Sequence, residues 1–183
     1  YQNLNNQELA FKWCKEAAEQ GSDTAQLFLA NFYDEGIGTL KDHKKAFNLF
    51  KEVAERGNAE AQFNLALCYQ NSEGVILDYK KAFDWNKQSV SQGHLKAKLN
   101  LAALYEKGHG VKQDLEKSFN LCKQVAEQVD DECVPKAQLD LATKYLSGTG
   151  VEQDYKQAFY WFTKASKQEK SLAKYNLGIL YHN

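Results

Sequence analysis

The feature that most constrains this chain is an internal repeat. An alanine followed four residues later by leucine and eight later by tyrosine occurs five times, as Ala25, Leu29, Tyr33; Ala61, Leu65, Tyr69; Ala97, Leu101, Tyr105; Ala137, Leu141, Tyr145; and Ala173, Leu177, Tyr181. Successive alanines are 36, 36, 40 and 36 residues apart, and the long interval contains an insertion near Val129 to Val134, just before Pro135. Spacings of four and eight place the three side chains on one face of a helix, so each set marks an amphipathic helix, here called helix A. A period of this length belongs to arrays of stacked supersecondary units rather than to a closed globular core.

Glycines follow each tyrosine by about three residues: Gly36 and Gly38, Gly74 alone, Gly108 and Gly110, Gly148 and Gly150. Glycine accepts the positive φ of a helix C-terminal cap and a tight turn, so helix A is expected to stop there. Ser72-Glu73 spoils one of the pairs. An aspartate recurs four residues after the second glycine, at Asp42, Asp78, Asp114 and Asp154. A carboxylate there can accept hydrogen bonds from the free amides of a first helical turn, so these aspartates are expected to N-cap a second helix, helix B. Its signature is a small residue before phenylalanine, at Ala46-Phe47, Ala82-Phe83, Ser118-Phe119 and Ala158-Phe159, with an earlier copy at Ala10-Phe11.

One helix pair cannot bury its own apolar face, so neighbouring pairs must stack, and a constant rotation per repeat gives such a stack a concave side. The pattern divides the chain, taken as one array over 1–183, into a partial helix B at 7–21, repeats at 22–57, 58–93, 94–133 and 134–169, and a partial helix A at 170–183. The repeat 94–133 holds the insertion. Methionine is absent and the chain begins at Tyr1, as expected of a segment cut from a longer protein. Partial helices at both ends predict that the array continues, or that its uncapped terminal helices associate end to end.

The pattern resembles the Sel1-like repeat family, a relative of the tetratricopeptide repeats with a longer turn inside each repeat. The period of 36 and the loops Gly110-Val111 to Asp114 and Gly150-Val151 to Asp154 carry the resemblance, which extends from about Gln7 to Tyr181. It implies an all-α fold, an α-solenoid of antiparallel helix pairs forming a right-handed superhelix, and a protein-protein interaction module.

Chemistry-bearing patterns are sparse. The 23 basic and 24 acidic residues give a net charge of -1, and Arg56 is the one arginine. Nucleic acid, which favours clustered arginine and lysine, is not an expected partner. No run of eighteen apolar residues marks a membrane span and no signal segment is visible, so the chain reads as soluble, with its compartment open. The four cysteines Cys14, Cys68, Cys122 and Cys133 lack the spacing of a zinc site and read as small buried hydrophobes, so no metal or cofactor is expected. The histidines His43, His94, His109 and His182 have no nucleophile at a recurring distance, and no catalytic residue is assigned. Asn64, Asn100, Asp140 and Asn176 form a polar column beside the core leucines, expected to hydrogen-bond between repeats, with ligand contact as the alternative.

Related tetratricopeptide arrays line their groove with helix A. Carried over by alignment, this resemblance nominates Leu27, Asn31 and Asp34; Phe63, Leu67 and Gln70; Leu99, Ala103 and Glu106; Leu139, Thr143 and Leu146; and Tyr175 and Ile179. The strip suits a peptide or helix with apolar anchors and, holding no lysine or arginine, does not suit a strongly acidic tail. The same leucines and phenylalanine could instead simply pack between adjacent A helices. The function expected is an adaptor or scaffold region of a larger signalling, regulatory or quality-control protein. Two alternatives stand beside it: a small-molecule or glycan-binding protein with weak hydrolase activity, as in the cysteine-rich branch of the family, and a structural spacer. In that branch a disulfide clamps each helix pair; here Cys122 and Cys133 alone could bridge within one repeat.

Overall fold

The structure, a computed structural model, describes residues 2–129 and 131–166. Tyr175, Ile179 and the expected partial helix A at 170–183 lie outside the described residues. Within them the chain is all-α, with helices α1 (Gln2–Glu19), α2 (Asp23–Glu35), α3 (His43–Glu55), α4 (Ala59–Asn71), α5 (Tyr79–Ser91), α6 (Leu95–Lys107), α7 (Leu115–Ala126), α8 (Val134–Ser147) and α9 (Tyr155–Ser166). They form two compact units, one ending at His94 and one starting at Leu95. Helices α2, α4, α6 and α8 carry the alanine, leucine and tyrosine set of helix A, and the others are helix B. Each helix packs on its chain neighbours within its own unit.

The glycine-to-aspartate loop is a closed hydrogen-bonded device. The amides of Asp42, Asp78, Asp114 and Asp154 donate to the carbonyls of Tyr33, Tyr69, Tyr105 and Tyr145, at 2.7, 3.0, 2.9 and 3.0 Å. Their carboxylates then cap helix B, accepting from the amides of Lys45, Lys81, Lys117 and Gln157 at 3.0, 3.0, 2.9 and 2.9 Å. In three of these loops the lysine three residues on also pairs with the aspartate and lies 5.0 to 5.5 Å above the ring of the preceding tyrosine. One short motif thus satisfies both helix ends at once.

The second glycine of the loop serves packing. A Cβ at Gly74 would lie 2.2 Å from the His43 carbonyl oxygen, and one at Gly150 2.0 Å from that of Leu115, so the loop of one repeat rests on the backbone that starts helix B of the repeat before. Next to this contact the helix B phenylalanine meets the following tyrosine edge to face: Phe11 on Tyr33, Phe47 on Tyr69 and Phe119 on Tyr145, with centroids 5.4, 5.5 and 5.2 Å apart. The core of the first unit gathers Ala30, Phe50, Val53, Leu65 and Cys68, and that of the second Val125, Leu141, Ala142, Trp161 and Phe162.

Two expectations change. The polar column does not bridge repeats through Asn64 or Asp140, whose side chains form no hydrogen bond with other described residues. Those bonds come from the column two places earlier, where the Gln62 and Gln138 amides each donate at 3.3 Å to the carbonyls of Ala54 and Ala126 on the preceding helix B. Cys14 is also only half-buried, and its thiol donates to the Ala25 carbonyl at 3.2 Å.

Candidate partner-binding surface

Helix A turns its alanine, leucine and tyrosine toward the core, which leaves the opposite arc to solvent. On α2, Asn31 and Asp34 lie on that arc while Leu27, 7% exposed, belongs to the core. Phe63, Leu67 and Gln70 are half-buried on α4, with the Phe63 ring 5.1 Å from that of His94. In the second unit Leu99, Ala103 and Glu106 on α6 and Leu139 and Leu146 on α8 are half-buried, and Thr143 is exposed. Leu99, Leu139 and Leu146 also touch the second core. The apolar column thus packs and presents surface at once.

The acids of the strip are engaged. Asp34 Oδ1 lies 2.8 Å from His43 Nδ1, which ties the end of α2 to the start of α3. Glu106 Oε2 accepts from the Ser118 hydroxyl at 3.2 Å and from the Lys144 ammonium. Lys144 is only 5% exposed and holds the column position filled by Phe32, Cys68 and Leu104 in the other A helices. The strip positions carry no lysine or arginine, but Lys144 lies beside them, in a column read from the other repeats as apolar core.

Leu99, Ala103, Glu106 and Thr143 come together around an open cleft of about 250 Å³ between α6 and α8, with Cys122, Asp140 and Lys144 also in its lining. Burial pushes the Asp140 carboxyl above the usual range, and nearby Glu106 adds to the effect; Lys136 and Lys144 oppose it. Burial likewise pushes the Cys122 thiol up to about 12, as it does that of Cys68, so neither is a ready nucleophile. Phe28, 56% exposed, stands in the same column as Asp140 and is not singled out by the sequence, because the other repeats place polar residues there.

All four cysteines carry free thiols, including Cys122 and Cys133. Among the described residues no group of histidine, cysteine and carboxylate side chains could hold a metal ion, and no helix is long and apolar enough to cross a membrane.

Comparison with known proteins agrees with this architecture. The model of the Sel1 repeat matches residues 4–22, 23–58, 59–94, 95–130 and 135–170. Among solved structures, c5321, a protective antigen of uropathogenic Escherichia coli strains displaying an SLR fold, is 35% identical, with a TM-score of 0.84 over 93% of this chain and 36% of its own. A Sel1 repeat protein from Oxalobacter formigenes is 29% identical, with a TM-score of 0.79 over 87% of this chain and 62% of its own. The chain therefore spans about a third of the first relative's length and under two thirds of the second's. No curated protein sequence matches it. The match of the repeat model along most of the chain, on helix pairs closed by the same loop each time, means that this chain belongs to the Sel1 repeat family.

Proposed function

We propose that this segment is an adaptor or scaffold that binds a peptide or helix of another protein on its helix A faces. The observation that carries the reading is the recurring, partly exposed apolar column at Phe63, Leu99 and Leu139, flanked by Leu67, Ala103 and Thr143, which keeps part of its surface open even where Leu99 and Leu139 touch the core. Half-buried side chains of this kind lose little conformational freedom when a partner covers them, which favours anchoring. The mix of apolar and neutral polar groups fits an amphipathic helix or an extended peptide.

Affinity capture from the source cell tests the proposal, with Leu67→Lys and Ala103→Lys made singly and each shown to keep the helical circular dichroism of the parent. Proteins held by the parent and lost by either folded variant support the reading. Capture that neither variant affects removes helix A as the docking face, and absence of any captured protein favours a spacer.

A further inference from the structure

The A helices of the first unit carry carboxylates and no cation. Helix α2 holds Asp23, Asp34 and Glu35, α4 holds Glu60, and neither has a lysine or arginine. The bias belongs to these helices rather than to the unit, since α3 and α5 hold six lysines against Glu52, Glu55 and Asp84. It does not follow from the repeat either, because α6 and α8 hold five lysines against Glu106 and Asp140. Glu60 suits the start of α4, where an acid meets the positive end of the helix dipole. Asp34 and Glu35 stand at the negative end of α2, where an acid costs stability and where α6 and α8 have Lys107 and Lys144. Nothing in the helix calls for Glu35 at that place.

We propose that the helix A face of the first unit takes a peptide or helix whose apolar anchors are flanked by lysine or arginine, with one cation against Glu35 at the end of α2; the inference names the chemistry of the partner and rests on the helix A reading above. The acids stand where the anchors would lie. Glu60, Phe63 and Leu67 are spaced by three and four residues and so share one face of α4, and Asn31 shares a face of α2 with Asp34 and Glu35. The flanking cations leave the match incomplete. Arg56 is already held by Asp23 at 2.8 Å and by Glu52 at 3.0 Å, and the His43 ring lies 2.8 Å from Asp34. Glu35 and Glu60 are exposed and form no ion pair with another described residue. Lys41, exposed in the loop after α2, is one cation against these two, and Glu73 in the loop after α4 adds a further carboxylate.

A cationic side chain at Glu35 would answer both the carboxylate and the C-terminal carbonyls of α2. Its methylene stem would cover part of the apolar strip while its head stays in water. Surface pairing of this kind adds little affinity to a peptide that its anchors already hold, but it selects against an acidic one.

The test titrates the intact chain with acetyl-Leu-Lys-Leu-Leu-Lys-Leu-amide, and with the same peptide carrying glutamine or glutamate in place of lysine, following backbone amides and side-chain carboxyl carbons by NMR. The lysine peptide is expected to move the Glu35 carboxyl and the amides of α2 and α4 saturably. It should bind about fivefold more tightly than the glutamate peptide at low salt, with the gap closing as salt is added. Glu35→Gln, at an exposed position, is expected to weaken the lysine peptide about threefold and to leave the glutamine peptide unchanged. Equal binding of the lysine and glutamate peptides, indifference of the lysine peptide to Glu35→Gln, shifts confined to α6 and α8, or no saturable shift at all would overturn the proposal. Leu67→Ala separates it from the reading it rests on. If all three peptides bind α2 and α4 alike and Leu67→Ala weakens each, the helix A strip stands and the charge preference falls. If Leu67→Ala changes nothing while Glu35→Gln weakens the lysine peptide, Glu35 attracts cations, the strip is no anchor and the helix A reading falls.

Discussion

At the end of α4 the backbone takes φ 62° and ψ 36° at Ser72, the left-handed conformation that Gly36 and Gly148 supply at the ends of α2 and α8. The Ser72 amide still closes the cap by donating to the Cys68 carbonyl, and its hydroxyl donates to Val75 at 3.0 Å. The missing glycine of the sequence pattern is thus a missing residue type with the conformation retained, a distinction that periodicity cannot show. Left-handed backbone costs an ordinary residue about 1–2 kcal/mol, part of which glycine's extra freedom in the unfolded chain cancels. Ser72→Gly is therefore expected to stabilise the protein by about 0.5 kcal/mol, read as a raised urea midpoint. Gly74→Ala works the other way, because its Cβ would strike the His43 carbonyl at 2.2 Å and the residue has φ 71°. A loss of about 2–4 kcal/mol is expected, and a variant as stable as the parent would contradict the close approach of loop and helix.

Among the elements, helix B was the more legible, since its aspartate cap recurs at one position in every complete loop. Helix A begins less regularly. Ser22 and Asn58 accept from the amides of Ala25 and Ala61 at 3.3 and 2.9 Å, whereas Cys133 provides no side-chain cap to α8. Different residue types in one role leave no column to align. The helix B caps also set a pH response. The backbone amide of Lys117, with its side chain, holds the Asp114 carboxyl below its ordinary 3.8, and Asp42 and Asp78 are lowered in the same way through Lys45 and Lys81. A carboxyl with a depressed folded-state pKa favours the folded state fully above its unfolded value and loses that contribution as pH falls through the folded value. Helicity supported by these caps should therefore hold down to about pH 4 and decline below it. Asp114→Asn keeps a capping oxygen without a titrating group. Its melting midpoint should fall less steeply than the parent's between about pH 4 and pH 2; parallel pH profiles would mean that the cap does not couple to protonation.

For the molecule as a whole, the repeat made the fold readable. Five copies vote on each helix position and four on each loop position, so the core alanines, leucines and tyrosines stand out in the sequence alone, and the packing of Phe47 on Tyr69 or Phe119 on Tyr145 follows from two columns meeting. The same averaging brought out the helix A strip but hid the departures beside it, because the residues that distinguish one repeat are those a consensus discards. Lys144 sits in a column otherwise read as core. Stability in such arrays adds up from repeats and their interfaces, so the cost of an unusual residue should be recoverable by restoring the column. Lys144→Leu replaces a buried ion-pair partner with the residue at Leu104, and it leaves Glu106 with its side chain 45% exposed and able to turn to water. A gain of about 1 kcal/mol is expected in chemical denaturation. Glu106→Gln leaves the buried ammonium without its counter-charge and should instead lose about 1–2 kcal/mol. If Lys144→Leu proves the more damaging of the two, the ion pair belongs to the architecture of the α6 and α8 pair rather than standing as a cost within it.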